Sequence, residues 1–124
     1  MNQKEIGKRY EEKAAAYLEE NGFTLLAKNF RCRQGEVDLI GIHDNCLVFV
    51  EVKYRKSTMS GTPEDAVVPA KQRKICLVSD YYRIRHPLES TRQIRYDVVA
   101  ISGETVSWYQ NAFPYDTGKQ TFSW

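Results

Sequence analysis

The chain has 124 residues, enough for one domain of common size and too few for two sizeable cores. A hydrophobic fraction of 42% and a charged fraction of 27% are ordinary for a soluble globular protein. No apolar run approaches the ~20 residues that a membrane span needs, and the polar residues 1–13 do not make a signal peptide, so a cytoplasmic protein without membrane attachment is expected.

The first predicted element is a helix over residues 3–20. Ile6, Tyr10, Ala14, Tyr17 and Leu18 recur at three- and four-residue steps and form one apolar stripe. Asn21-Gly22 stops it, because glycine tolerates the left-handed conformation that ends helices. Residues 23–33 read as extended, with a turn at Arg33-Gln34-Gly35. Residues 36–42 and 47–54 are two further strands, joined by the short hairpin connection His43-Asp44-Asn45-Cys46. Residues 57–63 are polar and read as a loop. A second helix is expected over 69–84 with Ile75, Val78 and Tyr82 facing inward. Strands over 95–101 and 105–109 follow, separated by the turn Ser102-Gly103-Glu104.

The expected order is therefore α-β-β-β-α-β-β, an α/β (α+β) fold with a mixed sheet of four or five strands flanked by helices. A single domain is expected over 1–124, with its core over 3–110 and an aromatic tail over 111–124 that either packs on the domain, the simpler option, or contacts a partner.

The informative segment runs from Gly35 through Lys53. Side chains alternate along a strand, so Glu36 and Asp38 share one face, as do Glu51 and Lys53. A hairpin centred on Asp44-Asn45 sets Asp38 opposite Glu51 and Glu36 opposite Lys53. Opposed carboxylates repel at the 4.5–5.5 Å or so that separates such Cβ atoms. Charges within the apolar surroundings of Leu39, Ile40 and residues 47–50 are costly unless paired or bound to metal. A divalent cation such as Mg²⁺ would compensate, and Lys53 beside it would orient or deprotonate the attacking water. Glu11 borders the apolar stripe of the first helix, from where a carboxylate could reach this site, with a plain helix-edge glutamate as the alternative. A plain cross-strand ion pair between Glu36 and Lys53 is the simpler alternative.

Cys32, Cys46 and Cys76, with His43 and His86, lack the spacing of a zinc site, and reduced thiols are expected. Charge is unevenly spread. Residues 53–95 hold ten of the 18 basic residues but four of the 16 acids, the pattern of a phosphate-binding rim beside a carboxylate site.

Gly7, Glu11, Ala14-Ala15 and Tyr17-Leu18, then Asn29-Phe30-Arg31-Cys32-Arg33 with Gly35-Glu36-Val37-Asp38-Leu39-Ile40, then Leu47-Val48-Phe49-Val50-Glu51-Val52-Lys53 with Arg55, resemble the YraN-like family of predicted endonucleases. That family is related to archaeal Holliday-junction resolvases. Lys71-Gln72-Arg73-Lys74 and Arg95-Tyr96-Asp97-Val98-Val99-Ala100 are similar to its later motifs, and the resemblance covers residues 6–101.

It implies a restriction-endonuclease-like fold of the PD-(D/E)xK type, with Asp38, Glu51 and Lys53 as the signature, Glu11 as an auxiliary acid, and Lys71 or Gln72 at a polar position on the following helix. The expected activity is Mg²⁺- or Mn²⁺-dependent hydrolysis of DNA phosphodiester bonds, with branched or recombining DNA among the substrates. Asp38 and Glu51 would bind the metal, with Glu11 and Gln72 in support. Arg31, Arg33, Arg55, Lys56, Lys71, Arg73 and Lys74 are candidates for backbone phosphate contacts. Symmetric cuts at a junction would require a homodimer. The competing expectation is a catalytically inactive nucleic-acid-binding or interaction module on the same scaffold.

Overall fold

The computed structural model describes residues 2–55 and 67–118. Helix α1 spans Gln3–Glu20 and strands β1, β2 and β3 span Thr24–Cys32, Gly35–His43 and Cys46–Tyr54. Helix α2 spans Pro69–Arg85, a 3₁₀ turn spans Glu89–Thr91, and strands β4 and β5 span Gln93–Ser102 and Thr105–Tyr109. The element order is the expected one, and only the 3₁₀ turn was without a signal in the sequence. Lys56 and the loop over 57–63 lie outside the described residues.

Local chemistry sets the boundaries. The Asn2 side chain caps α1 by accepting a hydrogen bond from the Glu5 amide at 2.9 Å, and Gly22, at φ 91°, carries the chain out of it. Asp44 and Asn45 both have positive φ, at 50° and 61°, as a two-residue hairpin turn matching the strand twist requires. Pro69 opens α2, where its missing N–H costs no helical hydrogen bond.

The five strands lie in sequence order, with β3 and β4 parallel and every other pair antiparallel. Parallel neighbours need a crossover, and the segment containing α2 supplies it. Helix α2 covers one face of the sheet, packing Ile75, Val78 and Tyr82 against Val37, Ile40, Phe49 and Tyr96. Helix α1 covers the other, with Ala14, Ala15 and Leu18 against Leu39, Val48, Val50 and Val99. Of the expected α1 stripe Ala14 and Leu18 are fully buried, with Ala15 beside them, and Ile6, Tyr10 and Tyr17 lie at the margin.

Covering both faces explains the unbroken apolar run of β3: Leu47, Val48, Phe49 and Val50 are all fully buried. Burial of a side chain the size of Phe49 contributes roughly 2 kcal/mol. Phe23 lies over the β2 backbone at Gly41, where a Cβ would meet the Phe23 ring and the Thr24 carbonyl far inside van der Waals contact. Phe113 packs against Tyr96 and the Tyr115 hydroxyl donates to Asp80, so the described part of the tail lies on the α2 side of the domain.

Candidate functional site

Pairing between β2 and β3 follows the hairpin register from His43↔Cys46 to Leu39↔Val50 and then ends. Asp38 and Glu51 are the next residues along the two strands. There the Asp38 side chain replaces the missing ladder bond, its Oδ2 accepting from the Val52 amide at 2.8 Å. Beyond this point β2 pairs with β1 alone and β3 with β4 alone, so Asp38 sits in the opening between them.

Strict alternation fails at the same place. Val37 and Ile40, three residues apart, both belong to the α2-side core, as do Ala27 and Phe30 on β1. Residues three apart in a regular strand face opposite sides. The irregular point is Asn29, at φ 51°, which stands opposite Asp38 between the pairs Lys28↔Leu39 and Phe30↔Val37. The pleat switches faces across both strands there. Glu36 consequently pairs with Arg31 on β1, Nε to Oε2 at 2.8 Å, and the expected partnership with Lys53 does not form.

Carboxylates gather around Asp38. Oxygens of Glu11, Glu36 and Asp38 lie within 4.8 Å of one another, and the Asn29 side chain lies close enough to Glu11 to stabilise its charged form. On the other side Asp38 lies against Glu51, which is 6% exposed. Burial first, then hydrogen bonding to and repulsion from Glu51, raise the Asp38 carboxyl to about 8, against a smaller opposing pull from the Val52 amide and Lys71. Burial, followed by repulsion from Asp38, raises Glu11 as well. A carboxyl group so placed gives up its proton readily only when positive charge arrives.

Two clefts flank the cluster. One, of about 420 Å³, is lined by Asp38 and Glu51 at its floor and by Lys71, Lys74, Val68 and Gly35 around it. The other, of about 400 Å³, lies between α1 and β1 and includes Lys4, Lys8, Glu11, Asn29 and Arg31, with Glu36 shared by both. The cation in contact with Glu51 is Lys71, whose Nζ lies 2.9 Å from a buried Oε2 that accepts no well-aligned hydrogen bond. The donor set suits a hard divalent cation: carboxylate oxygens only, with one buried oxygen short of donors.

The structure thus brings together Asp38, Glu51, Glu11, Lys71 and Lys74, and adds Glu36. Lys53 is exposed on β3, two residues beyond Glu51 and outside the lining of either cleft. Gln72 turns back to the Val67 carbonyl at 2.8 Å, bracing the start of α2. Arg33 is exposed at the β1–β2 turn, and the Arg55 amide is tied to the Ile101 carbonyl at 2.8 Å. Arg73 lies beside Gly118 of the tail, away from both clefts. Sequence reasoning missed Asn29. Its signal was a residue of poor strand propensity, tolerant of left-handed φ, in the middle of an expected strand.

The profile of the Uncharacterised protein family UPF0102 matches residues 10–101. The chain is 42% identical over 113 residues to a UPF0102 protein of Lachnoclostridium phytofermentans, covering 91% of this chain and 96% of that protein. A UPF0102 protein of Aeromonas hydrophila is 40% identical over 108 residues, with 86% and 83% covered, and one of Syntrophus aciditrophicus is 48% identical over 96 residues, with 77% and 75% covered. All three alignments span most of both chains, and the protein belongs to the UPF0102, or YraN-like, family.

Proposed function

We propose that the protein is a metal-dependent endonuclease that hydrolyses DNA phosphodiester bonds, with branched or recombination structures among its substrates. The observation that carries this reading is the Asp38–Glu51 pair. Two carboxylates, Glu51 buried and Asp38 half-buried, are held together at the end of a paired ladder, with Glu11 and Glu36 adding further negative charge. Such an arrangement weakens the fold, and a divalent cation is the partner whose charge and oxygen preference relieve it. The resemblance to the PD-(D/E)xK nucleases supports the same assignment.

Asp38 and Glu51 would hold the cation, with Glu11 or Glu36 completing its shell. Once bound, a cation of this kind withdraws charge from a phosphate oxygen and makes a neighbouring water more acidic. Lys71 and Lys74, on the rim of the same cleft, would draw in the phosphate. Lys53, on the strand that carries Glu51, would steer the attacking water and offset charge as the phosphorus–oxygen bond to the leaving group breaks. Arg31, Arg33 and Arg55 would position the DNA backbone without reading sequence. A homodimer would be needed to cut a junction symmetrically.

The Lys71–Glu51 contact favours a second reading, since a lysine already seated on a carboxylate is also what an inactive nucleic-acid-binding module would keep. Incubation with linear, single-stranded, flapped and four-way DNA in Mg²⁺ or Mn²⁺ separates the two. Endonuclease activity predicts cleavage that Asp38→Ala and Glu51→Ala each abolish and Lys53→Ala reduces by about 100-fold or more. Binding without cleavage of any substrate would favour the module, and cleavage indifferent to all three substitutions would remove the assignment.

A further inference from the structure

Lys71 is oddly placed. It lies in the first turn of α2, a turn without acids, where the helix already carries partial positive charge and a lysine is unfavourable. The compensation comes from outside the helix. The Lys71 Nζ lies 2.9 Å from Glu51 Oε2, and among the described residues no other basic group forms an ion pair with Glu51. That oxygen is buried and accepts no aligned hydrogen bond, so the ammonium acts on it as a point charge, much as a metal ion would. The two partners differ in freedom. The Glu51 side chain is 7% exposed and fixed in the sheet, whereas the Lys71 side chain is 55% exposed on a flexible stem. Lys71 can leave without uncovering the core.

From this we infer that Lys71 is an intramolecular stand-in for the divalent cation, which occupies the Glu51 oxygen in the metal-free protein and is displaced when the cation binds. The inference rests on the cation-binding reading above and deepens it. Displacement frees an ammonium group at the rim of the Asp38–Glu51 cleft, where it becomes available to a phosphate. The free protein then avoids an uncompensated buried carboxylate, and cation loading exposes a phosphate-binding charge. Lys71 is in these terms a positioning residue. It sets the electrostatic state of Glu51 and does not ligate the metal.

Competition for one oxygen has a measurable signature. Apparent affinity falls by the fraction of molecules in which the site is open. Mn²⁺ is titrated calorimetrically into the DNA-free protein and its Lys71→Met, Lys71→Arg and Lys74→Met variants. Lys74 is the control, since it lines the same cleft without an ion pair to Glu51. The expected result is Mn²⁺ binding roughly tenfold tighter in Lys71→Met, with Lys71→Arg and Lys74→Met within about twofold of the parent. Circular dichroism melting checks that each variant is folded. Unchanged or weaker binding in Lys71→Met would overturn the inference and leave the cation site standing. Equal tightening in Lys74→Met would also overturn it, by showing a general field effect. If neither parent nor Lys71→Met binds Mn²⁺, the cation-binding reading fails and takes the inference with it.

Discussion

Two aspartates of this fold, Asp97 fully buried and Asp38 half-buried, have opposite surroundings. Asp97 on β4 is fully buried and receives four hydrogen bonds: from Arg95 Nε at 2.9 Å and Nη2 at 2.8 Å, from Trp108 Nε1 at 2.8 Å, and from the Asn111 amide at 2.9 Å. The same Arg95 Nη2 reaches His43 Nδ1 at 3.0 Å, and the His43 ring packs edge-on against Trp108. Every lone pair has a donor and the charge has a counter-charge. Asp38 has one backbone donor and otherwise faces Glu51, Glu11 and Glu36. A closed network of the first kind ties β4 to β5 and the start of the tail. An open one of the second kind lowers stability until something positive enters.

Substitution should separate the two sharply. Asp97→Asn strips Arg95 of its counter-charge and turns an amide N–H₂ toward existing donors, so urea unfolding should show a loss of about 3 kcal/mol. Asp38→Asn should act in the other direction. The folded protein holds the Asp38 proton up to about pH 8, whereas the unfolded chain releases it near the ordinary carboxylate value. Between those limits the folded state binds more protons, so this contribution is complete below about pH 4 and is lost as pH rises toward 8. The melting temperature of the metal-free parent should therefore fall across this window. Asp38→Asn should flatten that dependence and leave the variant more stable than the parent at pH 8. Saturating Mn²⁺ should reverse the loss in the parent alone, because a cation binds the deprotonated form. A parent curve that is flat or rising, with Asp38→Asn less stable at pH 8, would break the contrast.

A smaller effect is expected at Asn29. Glycine keeps the left-handed backbone and removes only the side chain beside Glu11. Asn29→Gly should change unfolding free energy by less than about 1 kcal/mol while weakening Mn²⁺ binding severalfold. A large stability loss with unaltered metal affinity would make Asn29 a purely structural device.

The parts of this account that were legible in the sequence are those governed by short-range rules. The apolar stripe of α1, the Asn21-Gly22 stop and the Asp44-Asn45 turn each gave an element or boundary close to the observed one, and the turn correctly fixed the register down to Leu39↔Val50. Alternation then misled, because one left-handed residue at Asn29 switched the pleat and sent Glu36 to Arg31. The Lys71–Glu51 pair was out of reach for another reason. It joins a strand to a helix twenty residues later, and no periodicity within either element encodes how the helix is docked. For Lys53 the spacing from Glu51 was plain, while its exposure depends on where β3 runs out from under α2.

The most direct test of the account is anomalous diffraction from crystals grown with Mn²⁺. It predicts one strong peak at coordination distance from both Asp38 and Glu51, with the Lys71 ammonium moved off the Glu51 oxygen. Well-ordered crystals in saturating Mn²⁺ with no peak between those carboxylates, and Lys71 still seated on Glu51, would contradict it.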